Sequence, residues 1–186
     1  KLPVVLNADE VFRLLDAVDN LKHRTAFMTM YGAGLRVSEV LGLRIEHIDG
    51  QRKRIHVRQG KGKKDRYVDL SPKLLEALRH YWSAERPASW LFPGSAPSKP
   101  LHPTALQKSI VLAGFRARIS KRVHTHTLRH CFATHLLESG ANLRSIQLAL
   151  GHRSLNTTAV YLHVASRASQ CRQGAVDLLA RGGAAA

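Results

Sequence analysis

His126-Thr-Leu-Arg129-His130-Cys-Phe-Ala-Thr-His-Leu-Leu-Glu-Ser-Gly140 sets the architecture of this 186-residue chain. Its pattern is helical from His126 to Ser139 and stops at a glycine, the residue suited to the left-handed C′ position. A second helical pattern, Asn142–Leu150, follows at once and ends on Gly151-His152. A short third one is expected over Thr157 to Tyr161, and Gly174–Arg181 is read as another. His126 and Arg129 are three apart, so a helix projects both from one face.

Working outward, Thr104–Arg118 reads as a helix. Ahead of it, Pro87 to Pro103 holds five of the seven prolines and reads as a loop with one buried pair, Leu91-Phe92. Ser71-Pro72 is an N-cap with proline in the first turn and opens a helix to about Arg86. Three strand-like pieces precede it, at Ile45–Ile48, Arg54–Arg58 and Arg66–Leu70. The last two are joined by Gln59-Gly-Lys-Gly-Lys-Lys-Asp65, a glycine-punctuated hairpin turn. Near the start, Asn7 and Glu10 form a capping box before Val11, Leu14, Leu15 and Val18. An apolar stretch, Thr25 to Tyr31, leads through Gly32-Ala-Gly34 into a short helix from Arg36 to Leu41. The fold class is α+β, mainly α: a small antiparallel three-stranded sheet beside a helical bundle.

Twenty-nine Lys and Arg against 13 Asp and Glu leave a net charge of +16. Such a field concentrates polyanions, and nucleic acid is the expected partner. No apolar run approaches a membrane span, and no isolated basic amphipathic helix favours a membrane surface. Cys131 and Cys171 lie in helical patterns and are read as reduced thiols of a cytosolic compartment. No signal peptide opens the sequence, and its abrupt start reads as that of a piece of a longer protein.

Several residues carry candidate chemistry. Arg36 lies just past two glycines at a helix start, where backbone amides favour an anion, and Glu39 sits on the same face to support it. His126 and Arg129 can grip one phosphate with an imidazole and a charged fork. His126 and His130 also have the spacing of a helical zinc site, but the glutamate of HExxH is replaced by Thr127 and no third ligand has obvious spacing. Lys61 stands between Gly60 and Gly62 in a hairpin where eight basic residues from Gln51 to Arg66 face only Asp65. A lysine there can reach a leaving oxygen as a general acid, or touch phosphates nonspecifically. His152 follows a helix end. Tyr161 needs a cationic or basic neighbour, because a phenol of pKa about 10 is only about a thousandth ionised at neutral pH.

Gly34-Leu-Arg36-Val-Ser-Glu39, Gly60-Lys61-Gly62, His126-Thr-Leu-Arg129-His, Leu150-Gly-His152 and Tyr161, in this order, resemble the tyrosine recombinase, or phage-integrase, family over about Leu2 to Val164. The His126–Gly140 stretch is especially close to the bacterial Xer-like branch. The resemblance implies the tyrosine-recombinase catalytic fold and a site-specific recombinase that cleaves and rejoins DNA through a 3′-phosphotyrosine, without metal or cofactor. It implies that Arg36 and Arg129 clamp the scissile phosphate with His126 and His152, that Lys61 protonates the departing 5′ oxygen, and that Tyr161 attacks phosphorus. Glu39 matches the family's acidic support position, and Lys63, Lys64 and Arg66 are expected DNA-backbone contacts. Residues 1–165 would form the catalytic domain. Residues 166–186 would be a tail whose Ala175-Val-Asp-Leu-Leu179 either docks a neighbouring protomer or packs on its own domain. The family's N-terminal DNA-clamping domain has no counterpart in the sequence. Expected partners are double-stranded DNA and further protomers, as a tetramer on paired sites, in the bacterial cytoplasm at the nucleoid. A topoisomerase-like nicking and rejoining enzyme, or a DNA-binding module without catalysis, are the alternatives.

Overall fold

The computed structural model describes residues 3–58, 65–152 and 154–162. Among them, α1 (Ala8–Asp16), α2 (Leu21–Gly32) and α3 (Val37–Leu41) lead to a three-stranded antiparallel sheet. Its strands are β1 (Ile48–Asp49), β2 (Arg54–Val57) and β3 (Arg66–Asp69), in the order β1-β2-β3. Four further helices follow: α4 (Pro72–Glu85), α5 (Pro103–Arg116), α6 (Thr125–Glu138) and α7 (Leu143–Leu150). Residues 155–162 form a last described helix, α8. No helix among the described residues is long and apolar enough to cross a membrane.

Most helix starts follow from local chemistry. Asn7 and Glu10 close the expected capping box, each bond 2.8 Å long. Ser71 accepts from the Leu74 amide ahead of Pro72, and Asn142 from the Ser145 amide. Gly140 and Gly151 take positive φ at the ends of α6 and α7, where a β-carbon would be strained. One expected strand is different. Ile45–His47 is a 3-10 turn, closed when the Arg44 amide donates to His47 Nδ1 at 3.0 Å, and only Ile48–Asp49 pairs with β2. The short β1 is therefore the edge of the sheet, and β2–β3 in the register Arg54↔Asp69 to Val57↔Arg66 is its body.

The core joins both halves of the chain. Phe27 and Met30 of α2, Leu35, Val40 and Leu43 around α3, Ile55 and Val57 of β2, and Leu106 and Ile110 of α5 are buried together with Leu128 and Cys131 of α6. Burial on this scale, about 25 cal/mol for each Å² of apolar surface removed from water, is what holds α6 in the middle of the protein. α6 packs on α2, α5 and α7. Its far end also fastens the chain ahead of α1. The Leu6 amide donates to Cys131 Sγ at 3.2 Å, and the Leu6 carbonyl is 2.9 Å from His135 Nε2, whose Nδ1 bonds the Tyr31 hydroxyl at 2.8 Å. Burial pushes the Cys131 thiol up to about 11, so it stays protonated. A smaller apolar cluster of Ala133, Ile146, Leu150 and Tyr161 ties α6, α7 and α8 together.

Candidate active site

Gly34 fixes the turn from α2 into α3. Its φ of 63° is left-handed, and the Phe132 ring and Leu150 occupy the space a β-carbon would need. Three residues later α3 begins, with Arg36 as its N-cap and Glu39 in its first turn. Glu39 is the hub of the site. One oxygen accepts the Arg36 amide at 2.8 Å, and the other takes the Arg36 guanidinium at 2.8 Å. Arg66 of β3 adds a bidentate pair at 2.9 and 3.0 Å, while Arg129 Nη1 stands 3.7 Å away. Burial alone would raise this carboxyl. Hydrogen bonds from Arg66 and the Arg36 amide outweigh it, together with the charges of Arg66 and Arg36, and hold it at about 2.

Three guanidiniums thus share one carboxylate, which leaves two positive charges uncompensated in a largely buried cluster. Arg129 feels this most. Burial, then the charge of Arg36, lowers it to about 10, still protonated at neutral pH. It is held from behind, because Nη1 donates to the Gly34 carbonyl and Nη2 to the Leu150 carbonyl at 2.6 Å. Arg36 is more open, its side chain 19% exposed, and one terminal nitrogen alone is bonded to Glu39. A cluster in which one guanidinium is fixed and another is partly exposed is suited to a tetrahedral oxyanion.

α6 brings His126 beside this pair. Burial, then the charges of Arg129 and Arg36, lower its imidazole, so it is neutral at neutral pH and can serve as a hydrogen-bond donor rather than a cation. α7 and α8 supply the remaining groups. His152 follows Gly151 and bonds Thr158 Oγ1 through Nδ1 at 2.9 Å, and Gln147 holds the His152 backbone. Tyr161 is 4% exposed, with its ring in the apolar cluster. Burial raises its phenol, and Arg129 and Arg36 pull back against that rise. The attraction places the hydroxyl within the field of both arginines. Its hydrogen-bond partner is His130 Nδ1, at 2.9 Å.

Comparison with known proteins shows the family to which this fold belongs. The model of the phage integrase family matches residues 4–167. The chain belongs to the phage integrase family. Among the family's curated members, a Sinorhizobium fredii protein provisionally named an integrase/recombinase is 50% identical over 181 residues, covering 97% of this chain and 59% of the relative. Tyrosine recombinase XerD of Staphylococcus aureus is 40% identical over 185 residues, covering 93% and 61%. The crystal structure of XerA recombinase superposes with a TM-score of 0.82 at 32% identity, over 93% of this chain and 66% of that one. That of XerH bound to its palindromic difH substrate, a post-cleavage complex, gives 0.79 at 27%, over 93% and 53%. The chain spans about three-fifths of the length of the two curated relatives.

Within this phage-integrase fold, Arg36, Glu39, His126, Arg129 and Tyr161 come together from positions up to 125 residues apart, and His152 enters through Thr158 of the tyrosine's own helix. Lys61, Lys63 and Lys64 lie outside the described residues, as do Cys171 and residues 175–179. Arg66 has another place than the DNA-backbone contact expected of it. Its guanidinium is taken up by Glu39 and by the Ala149 carbonyl at 3.3 Å, with the side chain 14% exposed, so it braces the hub from β3. Alternation along β3 carried the signal, since Arg66 and Val68 share a face and Val68 is buried. His130 was visible in sequence only as the i+4 companion of His126. The same spacing is what carries it to Tyr161.

Proposed function

We propose that this chain is the catalytic domain of a tyrosine-type site-specific DNA recombinase. The observation that carries the reading is a surplus of two positive charges around Glu39 with the Tyr161 phenol inside their field. A scissile phosphate would sit on Arg36 and Arg129, with His126 and His152 adding hydrogen bonds to its oxygens. Tyr161 Oη attacks phosphorus and gives up its proton, forming the Oη–P bond as the P–O5′ bond breaks. Lys61 protonates the departing 5′ oxygen. The 3′-phosphotyrosine conserves the ester, so a 5′-hydroxyl of another strand can displace the tyrosine and complete strand exchange. No metal or cofactor enters this scheme. Arginines aimed at the non-bridging oxygens act where charge develops in the transition state.

Double-stranded DNA is the substrate in this reading. It is supported by the charge of +16 and by relatives such as XerH solved on DNA. Lys63 and Lys64 join the phosphate contacts, whose number sets the salt dependence of binding. Residues 1–165 make the catalytic unit, and the full-length protein completes the DNA clamp with a second domain. Protomers pair as a tetramer on two sites through the 166–186 tail, in the bacterial cytoplasm.

A pool of nicked duplexes of randomised sequence, in which the fragment beyond the nick is lost after cleavage, tests the chemistry. Denaturing electrophoresis is expected to reveal a covalent protein–DNA band that is absent with Tyr161→Phe. A band that survives this substitution overturns the assignment. Relaxation of supercoiled DNA without strand exchange between paired sites would instead place the chain with nicking and rejoining enzymes.

A further inference from the structure

The reaction above leaves one proton without a destination. Tyr161 must lose it to become a nucleophile, and burial makes its phenol a weaker acid than an exposed one. Three histidines surround the site. His152 Nδ1 is engaged with Thr158, and His126 faces the arginine pair. Among the described residues the Tyr161 hydroxyl has one hydrogen-bond partner, His130 Nδ1, at 2.9 Å, with ring centroids 5.8 Å apart and planes inclined by 48°.

The direction of that bond is set by the tautomer of His130. Burial, then the charges of His126 and Arg129, disfavour a protonated His130. In the neutral tautomer that carries its hydrogen on Nε2, the bare Nδ1 accepts the phenol hydrogen, and this is the arrangement a base for Tyr161 requires. Arg129 and His130 are consecutive residues of α6, so the anchor for the phosphate and the contact to the nucleophile ride on one rigid element. The tyrosine ring is itself clamped by Ala133, Ile146 and Leu150.

Resting on the recombinase reading, we propose that His130 is the general base for Tyr161, a catalytic residue beyond the arginine, histidine and lysine set. As Oη bonds to phosphorus, its proton passes to His130 Nδ1, and the P–O5′ electron pair leaves with the proton of the general acid. In rejoining, the incoming 5′-hydroxyl gives its proton to that same acid group, the Oη–P bond breaks, and His130 returns its proton to the phenolate. The proton count at the site is unchanged over a full cycle. Base catalysis of this kind is worth about a hundred- to ten-thousand-fold in rate.

The test measures single-turnover adduct formation on the nicked duplex recovered from the randomised pool. His130→Ala and His130→Asn are both expected to slow it by about a hundredfold or more with DNA binding unchanged. Asparagine retains an acceptor close to the Nδ1 position but no basicity, so a His130→Asn rate equal to that of the unaltered protein would overturn the proposal. Fluorinated tyrosine at position 161, a stronger acid, is expected to narrow the deficit. A bridging 5′-phosphorothiolate, whose sulfur leaves without a proton, is expected not to, and rescue by it would assign His130 to the leaving group instead. Nitrogen-15 histidine NMR on the DNA-free protein checks the contact without any reaction. Tyr161→Phe removes a hydrogen bond to the neutral ring, so the His130 pKa should rise, and an unchanged value defeats the proposal. Failure of the underlying reading is distinct, since it appears as an adduct that does not depend on Tyr161 or as no adduct from the unaltered protein.

Discussion

α5 and α6 are each 14 residues long and lie side by side, yet they are built on opposite plans. α5 buries a plain stripe of Leu106, Ile110 and Ala113, and leaves Val111, Leu112 and Phe115 facing outward, the last 83% exposed. α6 buries Thr125, Thr127, Arg129 and Thr134 next to Leu128, Cys131 and Ala133. Burying polar groups costs free energy unless each finds a partner. Arg129 has two carbonyls, Thr127 Oγ1 accepts the His124 amide at 3.1 Å, and Thr134 Oγ1 is buried with no partner among the described residues. α5 is therefore a packing element. α6 carries the residues on which the proposed chemistry rests and is held in place by its neighbours.

The contrast breaks most visibly at Arg129. Arg129→Ala is expected to slow adduct formation several-hundred-fold, equivalent to about 3–4 kcal/mol of transition-state stabilisation. DNA binding, measured by gel shift, should persist. A variant that cleaves normally would reduce α6 to one more packing helix. Glu39→Gln comes next and is read in stability. Removing the carboxylate strands three guanidiniums and should lower the unfolding free energy in urea by about 3 kcal/mol at neutral pH. The Glu39 carboxyl falls from its ordinary 4.5 to about 2 in the folded protein, so its contribution is fully present above about 4.5 and is lost as pH falls toward 2. After allowance for screening that contribution is of order 2–3 kcal/mol, and the acid limb of the stability curve should be flatter in Glu39→Gln by that amount. Equal acid limbs would mean that the hub is not held as described. The smallest effect belongs to α5. Phe115→Gln should change stability by no more than about 0.5 kcal/mol and leave adduct formation untouched. A large loss would show that the outward face of α5 is not idle in folding.

Local chemistry explains which parts of this were legible in sequence. Capping boxes, an N1 proline and C′ glycines act within four or five residues, so Asn7, Ser71-Pro72, Gly140 and Gly151 mark their helices directly. The Arg36–Glu39 pair is equally local and was visible at its i+3 spacing. Ile45–Ile48 has the apolar spacing of a strand, but the ring nitrogen of His47 turns the backbone back on Arg44 before the strand can begin. Arg66 looked like one more cation of a basic hairpin. Its partner, Glu39 of α3, is 27 residues away, and only the packing of the folded chain brings the two together. The His130–Tyr161 contact spans 31 residues and depends on the packing of Tyr161 against Ala133, Ile146 and Leu150. Such pairs are decided by packing: alternation along β3 turns Arg66 to the face of buried Val68, but the identity of its partner is written nowhere in the local pattern.

Leu6 is gripped at both its amide and its carbonyl by Cys131 and His135, one and five residues beyond His130 on α6. The peptide there ties the segment ahead of α1 to the middle of α6 on both of its polar sides. Any displacement of the backbone at Leu6 is therefore felt, through two hydrogen bonds, by the helix that carries Arg129 and His130.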